Sequence, residues 1–390
     1  MSKMDKKKVL ITASTFPRWE GDTEPRFILD LTKALKEYFD VTVLAPMCPG
    51  AKKHEMIEGV EVIRYHYFPI HRFETLCYPG AIVPRIKEKK VRILLVPFLF
   101  LGLWLKLFQI NKNYDAVHVH WLIPQGIVQS FFNIPYIITG HGGDVSSLNI
   151  NPIKALKIKC LKKAKRVAVV SNELKSQLGK YYDAENVSVI SMGCDTTKFS
   201  VDNRIENYFG QDDRPVILFV GRLAEKKGVK YLIEAAEDVE AQFVIVGDGP
   251  LREELELRAQ SLGDKIKFWG AKPHSELVTI FASADVFVAP SITAKDGDKE
   301  GLPTTIIEAM ASGLPVVGSD SGGIKEIIKD GKNGFVVSER ATEEIANAIN
   351  KILVDKNLYN SMRETALQTA KSYDYKEKAK QYAELIKSAL

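Results

Sequence analysis

Two glutamates eight positions apart stand in the stretch KEGLPTTIIEAMASG, residues 299–313. Glu300 lies in a Gly/Pro-containing loop, and Glu308 falls inside a run that reads as helix. Pro303 suits a first helical position and Gly313 the residue just past a helix end. A helix N-terminus offers free amides and a positive dipole end, which favour an anion. Upstream, FVGRLAEKKG places Gly221 and Arg222 at a strand end and Lys227 shortly before the next helix. Two cations and a helix N-terminus can hold a diphosphate through charge-assisted bonds. Glu308 could then accept from ribose hydroxyls while Glu300 reaches a group beyond the phosphates. FVIVGDGP and IITGHGGD end two further strands, the second with His141 and Asp144. The plainer reading makes Glu300 a charge near a helix start, Glu308 a solvated helix residue, and Arg222 and Lys227 ordinary surface cations.

These groups need a scaffold that gathers strand ends. Short apolar runs such as KKVLITAS, DVTVLAP, IPYIITGH, PVILFVGR and AQFVIVGDG alternate with amphipathic helical stretches such as PRFILDLTKALKEY and LREELELRAQSLG. Strands that are apolar throughout are buried on both faces, which requires parallel sheets covered by helices. With 390 residues there is room for two doubly wound α/β domains, whose ligands bind beyond the carboxyl ends of the strands. The polar segment 194–214 reads as a linker between an N-terminal domain, 1–193, and a C-terminal domain, 215–372. An amphipathic final helix, 373–390, is free to pack back on the first domain.

Composition narrows the function. The four cysteines are scattered without a C-x-x-C pair, so neither a zinc site nor a disulfide framework is indicated. The N-terminal apolar run is too short for a signal peptide, so a cytoplasmic protein is expected. Residues 1–195 hold 28 Lys and Arg against 18 Asp and Glu, and the remainder hold 26 against 31. A basic first half suits an anionic partner, although a solvated lysine-rich surface has the same composition. The run Ile93–Leu105 is apolar, is flanked by Lys87, Lys89, Lys90, Arg92 and Lys106, and at 13 residues is short for a membrane span. It reads either as a core helix or as an interfacial segment.

Taken in order, HGGD, GRLAEKKG, VGDGP and the Glu300–Glu308 pair resemble the family 4 retaining glycosyltransferases, whose GT-B fold sets two Rossmann-like domains across a cleft. EGLPTTIIEAMASGLPVVGSDSGGIKEII is similar to that family's donor signature. TFPRWEGDTEPRFILDLTKAL, HVHWLIPQG and SMGCDTTKF match further patterns, so the resemblance covers nearly the whole chain. It implies that Arg222 and Lys227 bind the donor diphosphate and Glu308 the ribose. Amides near Gly301, Leu302 and Thr304 would serve sugar or phosphate, and His141 and Glu300 would be the catalytic pair beside the transferred sugar. No metal or other cofactor is implied. Three departures stand out. WEGDTEP has only Gly21, followed by Asp22, where paired glycines are usual, so a phosphate-cradling role for this loop is weakened, while Gly21 and Asp22 stay candidates for an acceptor-side loop. Pro303 removes one amide donor, and MGCD replaces NGVD.

The resemblance therefore implies hexosyl transfer from a nucleotide-diphosphate sugar to a lipid-linked or saccharide acceptor. The basic half and apolar run add the expectation of surface-polysaccharide or glycolipid assembly by a protein peripheral on the inner face of the cell membrane. Other classes fit parts of the pattern. Asp296-Gly297-Asp298 could hold a divalent ion against a diphosphate. A sugar-nucleotide epimerase shares the two-domain build, and a non-catalytic nucleotide-sugar binder would use the same loops. A dehydrogenase is disfavoured because no strand is followed by G-x-G-x-x-G, and nucleic acid is not an expected partner because RNP-type aromatics are lacking.

Overall fold

A computed structural model describes residues 6–295 and 297–390. The chain forms two compact units: Met1–Ser191 together with Tyr375–Leu390, and Met192–Asp374.

Among the described residues the first unit carries one eight-stranded sheet: β1 (Lys8–Thr12), β2 (Asp40–Pro46), β3 (His54–Ile57), β4 (Val60–Tyr65), β5 (Ala116–His120), β6 (Tyr136–Gly140), β7 (Arg166–Val169) and β8 (Val187–Val189). Their order is β3-β4-β2-β1-β5-β6-β7-β8. All pairs are parallel except β3 with β4. The order reverses between β1 and β5, where Leu10 faces Val117. Every residue of β5 and β6 is buried, which is why these strands read as unbroken apolar runs.

The final helix, Tyr375–Lys387, belongs to this unit. Its Tyr382 is fully buried and donates its hydroxyl to the Ile190 carbonyl at 2.8 Å.

The second unit holds β9 (Val216–Val220), β10 (Gln242–Val246), β11 (Ile266–Gly270), β12 (Val286–Ala289), β13 (Val316–Ser319) and β14 (Gly334–Val337), in the order β11-β10-β9-β12-β13-β14. All pairs are parallel. Val216, Leu218 and Val220 point into one core layer with Ile306, Ile307 and Met310. Ile217 and Phe219 point into the other with Leu232, Ile233 and Ile349. Alternation along a strand thus feeds two helical layers. The order turns at β9/β12, and sheets of this kind bind ligands beyond the carboxyl ends of the strands at such a point.

Two sequence expectations change here. Residues 194–214 are not a free connection. Cys194, Phe199 and Phe209 are buried in the second unit's core, and Cys194 pairs with Asp374 in a parallel bridge. Three anchoring side chains spaced this widely leave no periodic signal among polar neighbours.

The apolar run around Ile93–Leu105 is also part of a longer helical segment, Lys90–Asn113, of 24 residues, within which an 18-residue stretch reaches a mean hydropathy of 2.1. By length and composition it could cross a membrane. Leu99, Leu103, Leu107 and Ile110 form its buried stripe. Phe98, Leu101, Trp104, Leu105 and Phe108 are exposed, so it is neither wholly core nor wholly surface.

Candidate active site

At the β9/β12 turning point, backbone geometry comes first. Beyond β9, Gly221 and Arg222 lead into a helical turn, Glu225–Lys227, closed by Gly228 at φ 63°. A Cβ at Gly228 would stand 1.9 Å from the Pro290 carbonyl oxygen, just beyond β12. Only glycine lets the turn press so closely on the neighbouring strand exit. The Ile292 amide bonds the Lys226 carbonyl at 2.8 Å and locks the approach. Beyond β13, Gly322 at φ 58° does the same to Glu300: a Cβ there would meet the Glu300 carbonyl oxygen at 2.0 Å.

This clamping brings Lys227 Nζ to 3.1 Å from Glu300 Oε1, while Lys226 pairs with Asp298 at 3.2 Å. Glu300 is buried, at 8% exposure. Burial pushes its pKa up, but Lys227 and Lys226 outweigh that, and the carboxyl is held below its ordinary value. At 3.1 Å and an effective dielectric of ~20 the attraction is about 5 kcal/mol, enough to offset a desolvation penalty of several kcal/mol. Lys227 approaches outside hydrogen-bonding alignment, so among the described residues Oε1 has no aligned donor. A buried charged oxygen in this state has capacity for a hydroxyl.

Gly301 and Pro303 are buried, and half-buried Leu302 packs its side chain on the core. The helix runs Thr304–Ala311, and Pro303 precedes it in an extended conformation rather than occupying its first turn. A proline side chain cannot cap, and no side chain does; the Ile306 amide bonds the Pro303 carbonyl at 3.3 Å, and the Thr304 and Thr305 amides are left to water or a ligand. At the other end the Gly313 amide bonds the Met310 carbonyl and the Leu314 amide bonds that of Ala309, a Schellman closure that fixes the helix length.

Glu308 lies inside this helix at 9% exposure, so it is not a solvated helix residue. His274 Nε2 stands 3.7 Å from its Oε1. Sequence reasoning missed His274, whose one signal is its place after Pro273 at the start of the helix His274–Ser283. It also missed Glu339, which accepts from Thr293 Oγ1 at 2.8 Å and so ties down the loop leading to Glu300. Asp296 of the D-x-D pair lies outside the described residues; its companion Asp298 is engaged by Lys226.

In the first unit, His141 follows β6. Asp144 accepts from the amides of His141 (3.0 Å) and Gly142 (2.9 Å) through one oxygen and from that of Leu122 (2.9 Å) through the other. Burial lowers the His141 pKa, only partly offset by Asp144, to about 4, so the ring is neutral near pH 7.

His141 Nε2 lies 2.8 Å from His120 Nδ1, and buried His120 Nε2 has no partner among the described residues. A buried N–H without an acceptor costs more than a bare ring nitrogen, so His120 donates from Nδ1. His141 then accepts at Nε2 and carries its proton on Nδ1, which makes it a hydrogen-bond donor of fixed tautomer. His120 was not foreseen as its partner, because the contact arises from the pairing of β5 with β6.

Asp22 is spent on its own loop. It pairs with the Arg18 guanidinium at 2.9 Å and accepts from the amides of Arg18 and Thr23, both at 2.8 Å. Gly21 is exposed at φ 82°. Neither residue is arranged as a phosphate cradle.

Two α/β units of this build, with an anion-seeking helix N-terminus and paired cation and carboxylate at a strand-order reversal, define a GT-B protein. The chain belongs to the family 4 glycosyltransferases. The family profile "Glycosyl transferases group 1" matches residues 201–369 and "Glycosyltransferase Family 4" matches 25–198. An uncharacterized glycosyltransferase of Methanocaldococcus jannaschii, MJ1607, is 30% identical over 78% of each chain. Alpha-D-kanosaminyltransferase of Streptomyces kanamyceticus is 38% identical over 40% of this chain, which spans only 41% of that relative. A GDP-mannose-dependent alpha-(1-6)-phosphatidylinositol monomannoside mannosyltransferase of Mycobacterium tuberculosis is 32% identical over 49% of this chain and 53% of its own. Sucrose-phosphate synthase from Thermosynechococcus elongatus superposes with TM-score 0.79 at 20% identity, covering 98% of both chains. Anabaena HepE, solved with UDP and glucose, superposes at 0.74 and 19% identity, covering 98% of this chain and all of its own. At such identities these structures establish the shared fold.

The Lys227–Glu300 pair can be tested directly. Glu300 contributes stability above its ordinary carboxyl pKa of 4.5, and loses it as pH falls through its lowered folded value. In Lys227→Ala, burial dominates and the carboxyl should protonate at higher pH. Carbon-13 titration of the Glu300 side chain reads this; an unmoved midpoint would contradict the pairing.

Proposed function

We propose that this chain transfers a hexosyl group, with retention of anomeric configuration, from a nucleoside-diphosphate sugar to an acceptor at a membrane surface. The observation that carries the donor half is the buried Lys227–Glu300 pair beside the uncapped Thr304 helix N-terminus. Arg222, Lys227 and the amides at Gly301, Leu302 and Thr304 hold the diphosphate, and Glu308 takes the ribose. Glu300 takes a sugar hydroxyl and offsets developing positive charge. His141, a neutral donor at Nδ1, is the first unit's own candidate for a sugar hydroxyl. The acceptor oxygen bonds the anomeric carbon on the face from which the diphosphate leaves, and the leaving phosphate oxygen takes the acceptor's proton. Cations and helix dipole neutralise that leaving group, so the step needs no metal.

The acceptor half rests on the helical segment Lys90–Asn113. Its exposed Leu101, Trp104, Leu105 and Phe108 form an apolar face, and Lys89 and Lys90 are exposed at its start. Arg92 does not add to that charge, since it pairs with Glu88 at 3.1 Å with a side chain only 10% exposed. Cations near an anionic surface contribute about 1 kcal/mol each, and the apolar face supplies the rest. The assignment is to polysaccharide or glycolipid assembly on the inner face of the cell membrane with a lipid-linked saccharide acceptor. The phosphatidylinositol-based substrate in the mycobacterial relative's name is of the same chemical kind.

Incubation with a panel of nucleotide sugars should reveal one that is slowly hydrolysed and that stabilises the protein. Arg222→Ala should weaken its binding by about 1.5–3 kcal/mol. Full activity after chelation is expected; loss restored by a divalent ion would overturn the metal-free step, and conversion of the donor to another nucleotide sugar without acceptor would show an epimerase instead.

Flotation with anionic vesicles should carry the protein upward at low salt, less at high salt, and much less for Leu101→Asp/Phe108→Asp. Absence of binding at low salt would remove the membrane assignment, and efficient transfer only to a small soluble acceptor would remove the lipid-linked one.

A further inference from the structure

We propose that His66, His71 and Glu74 form a binding site for a divalent transition-metal ion, with zinc as the probe, on the first unit. The inference is independent of the transferase reading and lies in a different part of the chain from the residues assigned to it.

The site is built by the segment that follows β4. A helical turn, His71–Phe73, folds the chain back so that the His66 and His71 rings lie against each other, tilted by 33° with centroids 3.6 Å apart. Glu74 sits against them at 1% exposure. Its Oε1 is fixed by the amides of Tyr67 (2.6 Å) and Phe68 (3.1 Å). Its Oε2 therefore faces the histidines: His66 Nδ1 is 2.8 Å away and His71 Nδ1 3.5 Å.

One ligand atom from each residue lies within 4.8 Å of the other two. Zinc binds imidazole nitrogen at about 2.0–2.1 Å and carboxylate oxygen at about 2.0–2.2 Å, so tetrahedral ligands stand about 3.4 Å apart. The two measured separations bracket that spacing.

A proton can bridge only one short pair here, His66 with Glu74. A cation would engage both imidazoles and the carboxylate at once. Two imidazoles with one carboxylate select zinc, nickel or cobalt over magnesium or calcium. His71 is on the exposed side, with 60% of its side chain accessible, so water can complete the coordination. The backbone amides on Oε1 orient the carboxylate as outer partners of a metal ligand do.

The site also sits under the apolar helix. A Cβ at Gly102 would lie 2.8 Å from the His66 carbonyl oxygen and 2.9 Å from Tyr67 Cα. Phe68 meets Phe98 edge to face at 4.9 Å. A bound ion would therefore clamp the segment on which that helix rests.

The test is calorimetric titration of zinc into the full chain after removal of metal, paired with thermal unfolding. One zinc per chain should bind at micromolar concentration and raise the melting temperature. His71→Ala, at an exposed position that should fold, should weaken binding by about tenfold or more and abolish the thermal shift, as should His66→Gln. His54→Ala, removing a histidine outside the cluster, should change neither. No saturable binding by the wild type, binding only at millimolar zinc, or affinity unchanged in both His71→Ala and His66→Gln would overturn the proposal.

Discussion

A carboxylate that is buried yet must stay ionised sets the terms for the second unit. Glu300 can be charged at 8% exposure only because Lys227 and Lys226 stand beside it, and they stand there only because loops from β9, β12 and β13 pack backbone against backbone. Gly228 and Gly322 permit those approaches. The strand order supplies the space, since the reversal between β9 and β12 parts the connecting helices. Charge, turn geometry and topology thus form one dependency. A larger residue at Gly228 would move Lys227, and a displaced Lys227 would leave Glu300 to take up a proton.

The first unit handles its polar groups the opposite way. His118, His120 and His141 are all held neutral, chiefly by burial. Their use lies in hydrogen-bond direction rather than charge. His120 fixes which nitrogen of His141 bears the proton, and Asp144 fixes the backbone at His141. Elsewhere on this unit charge is placed outside, around the helical segment Lys90–Asn113. The chemistry expected of each unit follows: the second neutralises an anion, and the first presents fixed donors and an apolar surface.

The parallel sheets were legible because a strand covered on both faces must be apolar throughout, as PVILFVGR and AQFVIVGDG are. Arg222 and Lys227 were legible as cations just past a strand end, Glu300 as a loop carboxylate ahead of a helix, and Glu308 as a carboxylate within that helix. What escaped was contact created by sheet order or by single anchoring residues. His120 meets His141 because β5 pairs with β6, and His274 reaches Glu308 from 34 positions away in sequence. Phe199 and Phe209 draw a polar segment into the core without any periodicity. The membrane-facing reading of residues 93–105 underestimated the helix because its flanking turns are polar. It also counted Arg92 as available when Glu88 holds it.

Amide hydrogen exchange with and without a saturating nucleoside diphosphate tests the central claim most directly, because it reports where the anion lands. The account predicts slowed exchange at Gly221–Gly228 and at Gly301, Leu302, Thr304 and Thr305, with the helix Tyr375–Lys387 unaffected. Protection confined to other strand ends, or none at the Thr304 helix N-terminus while the nucleotide is bound, would contradict it.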